Sequence, residues 1–105
     1  MPHFVYILYA ESHDKYYVGQ TDHLEMRLER HNEFDKTNSY TSKYRPWVLK
    51  SWAEMNTRSE AMLVEKSLKK LKSKVLLSRF AENEDLFQEF AQQVLITDAT
   101  KRPVG

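Results

Sequence analysis

Five side chains in this sequence are of types that could act together in chemistry: Tyr6, Tyr17, Arg27, His31 and Glu65. Arg27 and His31 stand four apart, a spacing that puts two residues on one side of a helix. Leu24 and Leu28 mark the buried stripe of that helix, and Arg27 lies toward the same side. A charge turned inward is costly unless it is paired or opens on a cleft, so Arg27 stands out on physical grounds alone. Glu65 sits at the shoulder of a second apolar stripe, made by Ala61, Val64, Leu68 and Leu71. A carboxylate there can hold a metal ion or pair with Lys69 one turn on, and the ion pair is the commoner arrangement. A strand tyrosine is more often a core aromatic with a bonded hydroxyl, and a lone histidine is usually a satisfied packing group.

Positioning these groups falls to a hairpin, two helices and a third strand. Phe4 to Ala10 is a continuous apolar and aromatic run, as expected of a strand covered on both faces. Glu11 to Asp14 is turn-like, and Lys15 to Gln20 returns as a second strand. With the turn centred between Ser12 and His13, Tyr6 faces Gly19 and Tyr17 faces Leu8. Both tyrosines then project from one face, and Gly19 leaves a space opposite Tyr6 that a backbone or ligand could enter. A three-residue loop would instead put the tyrosines on opposite faces, and the turn carries no Asn-Gly or Asp-Gly to fix its length. Asp22 with Glu25 fits a capping box for the first helix. Asp35 to Pro46 is a long polar connection in which Tyr40, Lys43, Tyr44 and Arg45 interleave rings and charges. Such a segment could stack on bases and touch phosphates, or be a surface loop with a helical turn. Trp47 to Met55 reads as a third strand with Val48, Leu49, Trp52 and Ala53 as its apolar content. Thr57 and Glu60 cap the second helix, from which Lys66 and Lys70 look outward. Asn83 caps a last helix whose stripe is Leu86, Phe87, Phe90, Ala91 and Val94. That stripe could pack on the domain or meet a second copy as a homodimer contact, and Thr97 to Gly105 reads as a frayed end.

The chain has 105 residues, 41% hydrophobic and 30% charged, values expected of one globular domain. It contains no cysteine, which excludes disulfides, thiolate metal sites and cysteine nucleophiles. No apolar run is long enough to span a membrane, and Met1-Pro2-His3-Phe4 lacks the marks of a secretory leader, so a cytoplasmic location is expected. A net charge of +1 is too small to announce a nucleic-acid binder. The distribution says more. Lys66, Lys69, Lys70, Lys72, Lys74 and Arg79 form a basic segment, and Glu82, Glu84, Asp85 and Glu89 follow it. This is either a local basic surface or a solvated helix face with its compensating neighbour.

The ordered set resembles the GIY-YIG nuclease family. Its carriers are Phe4-Val5-Tyr6 and Tyr17-Val18-Gly19, then Arg27 and His31, then residues 40–47 (YTSKYRPW), then Arg58-Ser59-Glu60-Ala61 with Glu65. The text is similar to small stand-alone bacterial members and to the nuclease domain of structure-specific endonuclease subunits. The resemblance covers roughly residues 3–74. It implies an α/β (α+β) fold: a small three-stranded antiparallel sheet flanked by helices. Residues 1–80 would form the nuclease domain, with 81–105 a helix and tail packed on it.

The resemblance also implies roles. Glu65 would hold a single divalent metal, Mg²⁺ or Mn²⁺. Arg27 would neutralise charge on the scissile phosphate, Tyr6 or Tyr17 would be the general base, and His31 could take the tyrosine's proton. Gly19 would be structural. Tyr40, Lys43, Arg45, Lys66, Lys69 and Lys70 would contact nucleic acid. The implied activity is metal-dependent endonucleolytic hydrolysis of DNA, with RNA left open, in a DNA repair or recombination setting. The alternative is a binding module of the same fold that holds nucleic acid without cutting it. With no separate DNA-binding domain in view, selectivity would be structure-guided or supplied by a protein partner. Two departures from the family pattern stand out: Phe4 replaces the first glycine, and Gln20 stands where some relatives carry lysine.

Overall fold

Strand β1 (His3–Ala10) is the middle of a three-stranded antiparallel sheet of order β2-β1-β3 in a computed structural model that describes residues 2–32 and 41–101. Its partners are β2 (Lys15–Thr21) and β3 (Val48–Met55). Among the described residues there are four α-helices, α1 (Leu24–Asn32), α2 (Arg58–Lys70), α3 (Lys74–Glu82) and α4 (Glu84–Lys101), and a short 3-10 helix at Thr41–Tyr44. This is the α+β architecture that the resemblance implied. Tyr40 lies outside the described residues.

The central strand is apolar throughout because both of its faces are covered. Val5 and Ile7 face the larger core, with Val18, Ala53 and Met55, beneath α2, α3 and α4. Tyr6, Leu8 and Ala10 face a smaller core with Trp47, covered by Leu24 and Leu28 of α1. The hairpin has the expected register, Tyr6 opposite Gly19 and Leu8 opposite Tyr17. Its four-residue connection is a 3-10 turn, Glu11–His13, followed by Asp14 at φ 49°. Aspartate tolerates this left-handed conformation better than most residues. Its carboxylate accepts a hydrogen bond from the Tyr9 hydroxyl at 2.7 Å and pairs with Lys74 of α3.

β3 differs from its expected burial pattern. Its pairing with β1 slips between Ile7–Ser51 and Leu8–Leu49, leaving Lys50 as an extra residue. The bulge reverses which residues face which core. Leu49 therefore joins the Tyr6 face, whereas Ser51, Ala53 and Met55 point into the larger core. Val48 is exposed and Trp52 is 36% exposed. The buried Ser51 hydroxyl donates to the Phe80 carbonyl at 2.8 Å, which satisfies it.

The helix starts obey capping chemistry, with one correction. Thr57 accepts the Glu60 N–H at 3.1 Å, and the Glu60 carboxylate reaches back to the Asn56 N–H at 3.0 Å. Asn83 accepts the Leu86 N–H at 3.0 Å, as its position suggested. At α1, however, the cap is His23 rather than Asp22: its Nδ1 accepts the Met26 N–H at 3.4 Å, and its own N–H donates to the Thr21 hydroxyl. Three further departures follow from where chain ends and turns fall. Leu71 lies just past α2 and is 37% exposed rather than core. α3, capped by Ser73 and burying Phe80 and Ala81, occupies the stretch read only as basic charge. α4 runs on to Lys101, through most of the segment expected to fray. Its Phe87 and Ala91 are buried in the chain's own core.

Candidate active site

The site lies where the Tyr6 side chain crosses β2. Strand alternation sends Tyr6 and Tyr17 to the α1 face, and Gly19, directly opposite Tyr6, has no side chain to stop the ring. A Cβ on Gly19 would stand 2.6 Å from Tyr6 Cζ and 3.1 Å from the Tyr17 ring. The space expected to admit a ligand is thus filled by Tyr6 itself, whose hydroxyl reaches across Gly19.

α1 brings two partners to that hydroxyl. His31 Nε2 lies 2.8 Å from Tyr6 Oη, and Arg27 donates from Nε at 3.3 Å. Their four-residue spacing places both on the turn that faces Tyr6. The Tyr17 ring completes the cluster, 4.7 Å from the His31 ring and 6.4 Å from that of Tyr6. His31 is buried, with Leu24 and Leu28 half-buried on the same stripe, while Arg27 emerges at its rim.

Burial and charge then set the protonation states. Tyr6 is 1% exposed. Burial pushes its hydroxyl up to about 12, an effect that the Arg27 hydrogen bond opposes and the nearby charges of Tyr17 and Glu65 reinforce. Burial, with the Arg27 charge beside it, pushes His31 down to about 4. The Tyr6 hydrogen bond, foremost, holds the Arg27 guanidinium above its usual value. At neutral pH the centre is therefore a neutral phenol, a neutral imidazole and a fixed cation. Arg27 can only donate, so the Tyr6 proton is directed to His31 Nε2 and the imidazole proton resides on Nδ1.

Glu65 approaches from α2, close enough for its charge to act on Tyr6. Its side chain is 22% exposed and pairs with Lys69 at 3.4 Å. No three His, Asp or Glu side chains converge among the described residues, so they form no closed metal cage. One hard-oxygen donor at a solvent-accessible rim fits Mg²⁺ or Mn²⁺, which keep water and take phosphate oxygens as their other ligands. The Lys69 pair is no obstacle: exposed pairs at this spacing contribute about 0.3–0.5 kcal/mol.

The remaining sequence-selected residues are dispersed. Lys43 is exposed and Arg45 half-buried, flanking Tyr44, whose ring packs against His13 and Trp47. Lys66 is exposed, and Lys70 lines a separate hollow with Phe90 and Val94 of α4. Gln20 points to the Val18 face, away from the tyrosines. Its Oε1 is buried with no hydrogen-bond partner among the described residues.

Sequence reasoning missed Asn32. Its amide accepts the Trp47 N–H at 2.6 Å and donates to the Trp47 carbonyl at 3.0 Å. This pair of hydrogen bonds from side chain to backbone ties the end of α1 to the residue just before β3 and fixes the turn that carries His31. An asparagine at a helix end is a weak signal, and the partner fifteen residues on could not be read from it.

A family model described as the GIY-YIG catalytic domain matches residues 2–79. Among solved structures, a solution NMR structure of a UPF0213 protein from Bacillus halodurans aligns at 25% identity and a TM-score of 0.49. It covers 84% of this chain and 92% of that one. No curated protein matches.

Proposed function

Because the chain belongs to the GIY-YIG family, and so has a nuclease fold, we propose that it is a divalent-metal-dependent endonuclease that hydrolyses DNA phosphodiester bonds. The observation that carries this reading is the Tyr6 hydroxyl, held between Arg27 and His31 with the Glu65 charge nearby. Two phenols, a guanidinium and an imidazole meet there, with the Glu65 carboxylate and its Lys69 partner beside them.

The protonation states favour a relay over a free phenolate. With its hydroxyl at about 12, Tyr6 would be ionised in only about 10⁻⁵ of molecules at pH 7. In a relay, the attacking water gives a proton to Tyr6 Oη as Tyr6 passes its own to His31 Nε2. Only His31 ends with an extra proton. With its value near 4, that costs about 4 kcal/mol at pH 7, a modest share of a hydrolytic barrier. The negative phosphate beside the imidazolium lowers it further. Arg27 has five donor hydrogens, enough to hold Tyr6 and a non-bridging phosphate oxygen together. Tyr17, half-buried at the strand edge, orients the water or phosphate. Glu65 would hold Mg²⁺ or Mn²⁺, which would supply Lewis-acid stabilisation of the phosphate and leaving oxygen. Lys69, beside Glu65, would contact phosphate near the cut, whereas Lys43, Arg45, Lys66 and Lys70 would serve only more distant stretches of nucleic acid, and the cellular role is DNA repair or recombination on structured substrates in the cytoplasm.

One observation favours a second reading: Glu65 already has a cationic partner in Lys69, as it would in a module that binds nucleic acid without cutting it. Cleavage of branched, duplex and single-stranded DNA with Mg²⁺ or Mn²⁺ separates the two, comparing wild type with Glu65→Ala. The nuclease reading expects cleavage by wild type and none by the variant, with binding intact in both. Salt-sensitive binding without cleavage by either protein would favour the binding module.

A further inference from the structure

Along the same edge of the sheet, beyond Tyr17, the surface hollows into a groove between β2 and the α2–α3 junction. Its volume is about 350 Å³. This lies near the lower end of the roughly 300–1,000 Å³ usual for small-ligand sites, a size suited to one nucleotide and too small for a duplex. Its wall and floor are apolar, with Tyr16 and Leu77 among them, and its rim carries Lys15, Lys69, Lys72 and Lys74. Asp14 is the single acidic lining residue, and it is already engaged by the Tyr9 hydroxyl and Lys74.

Local structure explains why these lysines meet. α2 ends at Lys70, Lys72 takes a left-handed turn at φ 48°, and Ser73 caps α3 by accepting the Leu76 N–H at 3.2 Å. The reversal puts Lys72 and Lys74 on either side of the cap, facing β2. Lys69, one turn before, joins the groove to the site because it also pairs with Glu65. Tyr17 lines the groove while its ring contacts His31. The groove and the site are therefore two stations on one strand edge. The basic segment seen in the sequence divides: Lys69, Lys72 and Lys74 turn to this edge, whereas Lys70 lines the separate hollow by α4.

We propose that this groove takes one unpaired nucleotide of the DNA strand that flanks the cut, with its base against Tyr16 and Leu77 and its phosphates on Lys69, Lys72 and Lys74. The charge is complementary to phosphate. An aromatic and aliphatic wall suits a base whose face is free of stacking partners, and a base in a duplex has no such free face. The inference rests on the nuclease reading for the identity of the strand, and it makes the enzyme selective for DNA unpaired beside the scissile bond.

The test is binding in EDTA, so that it does not depend on cleavage. Fluorescence anisotropy across a salt series would compare a short single-stranded oligonucleotide with a duplex of equal length, for wild type and Lys72→Asn/Lys74→Gln. Asparagine tolerates the left-handed conformation at position 72, and amide resonances of residues 15–17 and 72–77 report the groove directly. The expected result is single-strand affinity about tenfold weaker in the double variant. Its log–log salt slope should be shallower by about 1.4, for two phosphate contacts at roughly 0.7 each, with duplex affinity unchanged. Unchanged single-strand binding, or an equal loss for both DNAs, would overturn the groove proposal. If wild type cleaves no DNA with Mg²⁺ or Mn²⁺, the nuclease reading fails separately, whatever the binding shows.

Discussion

The Tyr6 ring lies across Gly19 so closely that a methyl group there would stand 2.6 Å from Tyr6 Cζ. The glycine thus lets a side chain from the central strand pass over its neighbour and deliver a hydroxyl to α1. Gly19→Ala should displace Tyr6 from Arg27 and His31. Overpacking of this kind costs about 1–3 kcal/mol, so the melting temperature should fall along with the cleavage rate. A fully active, equally stable variant would show that the hydroxyl's position is not what Gly19 protects.

The two tyrosines should respond differently to loss of their hydroxyls. Tyr6→Phe breaks the relay and leaves His31 Nε2 and Arg27 without their shared partner. Cleavage should fall by about 10²–10⁴, the usual range for general-base catalysis, with single-strand and duplex binding preserved. Tyr17→Phe removes an orienting hydroxyl and its lesser hydrogen bond with Arg27, and should cost less. Steady-state kinetics on one substrate would decide, and the reverse ranking would move the base to Tyr17.

Removal of the metal or of its ligand should abolish cleavage without unfolding the chain. Glu65→Gln takes away the carboxylate and a rim pair with the exposed Lys69 that contributes about 0.5 kcal/mol. Thermal stability should therefore be nearly unchanged while activity is lost, and chelation of wild type should have the same effect. A large drop in melting temperature would show Glu65 to be chiefly structural.

Stability should fall on acidification through His31. Its folded-state value, about 4, lies below its ordinary 6.5, so the unfolded chain takes up the proton first. The stabilisation is complete above about pH 6.5 and is lost as pH falls toward 4, by up to about 3 kcal/mol. Denaturant unfolding at pH 7 and pH 4.5, for wild type and His31→Gln, would isolate this share. The variant should lose less stability over that interval.

Asn32→Ala should loosen the α1–β3 tie. Trp47 is buried, and its N–H and carbonyl would lose their partner at a cost of about 1–3 kcal/mol. Because Asn32 adjoins His31, cleavage should drop as well. Restoration of stability by a distant stabilising substitution without recovery of activity would identify a positioning role.

Much of this was legible in the sequence because it depends on local rules. The hairpin register follows from turn length and strand alternation, and it placed Tyr6 opposite Gly19. The caps at Thr57 and Asn83 follow from one side chain reaching a backbone group three residues away. Helical spacing put Arg27 beside His31. Family resemblance joined these pieces into a candidate set, and the three-stranded antiparallel sheet with flanking helices that it implied is the fold observed.

What the sequence left undecided depends on elements distant along the chain. The bulge at Lys50 arises from pairing across β1 and β3, so the burial of Ser51 and the exposure of Trp52 could not be read from β3 alone. Asp22 has the residue type of a cap for α1, but the turn at Thr21 aims the imidazole of His23 at the helix instead. The basic segment was visible as charge, but only the reversal at Lys72 determined which lysines face β2. The sequence by itself determined which groups are present and which neighbours they keep within a turn or a hairpin, because those distances are set by backbone geometry. Tertiary structure decided what the Tyr6 hydroxyl touches, since that depends on how α1 packs over the Tyr6 ring where it crosses Gly19 of the neighbouring strand.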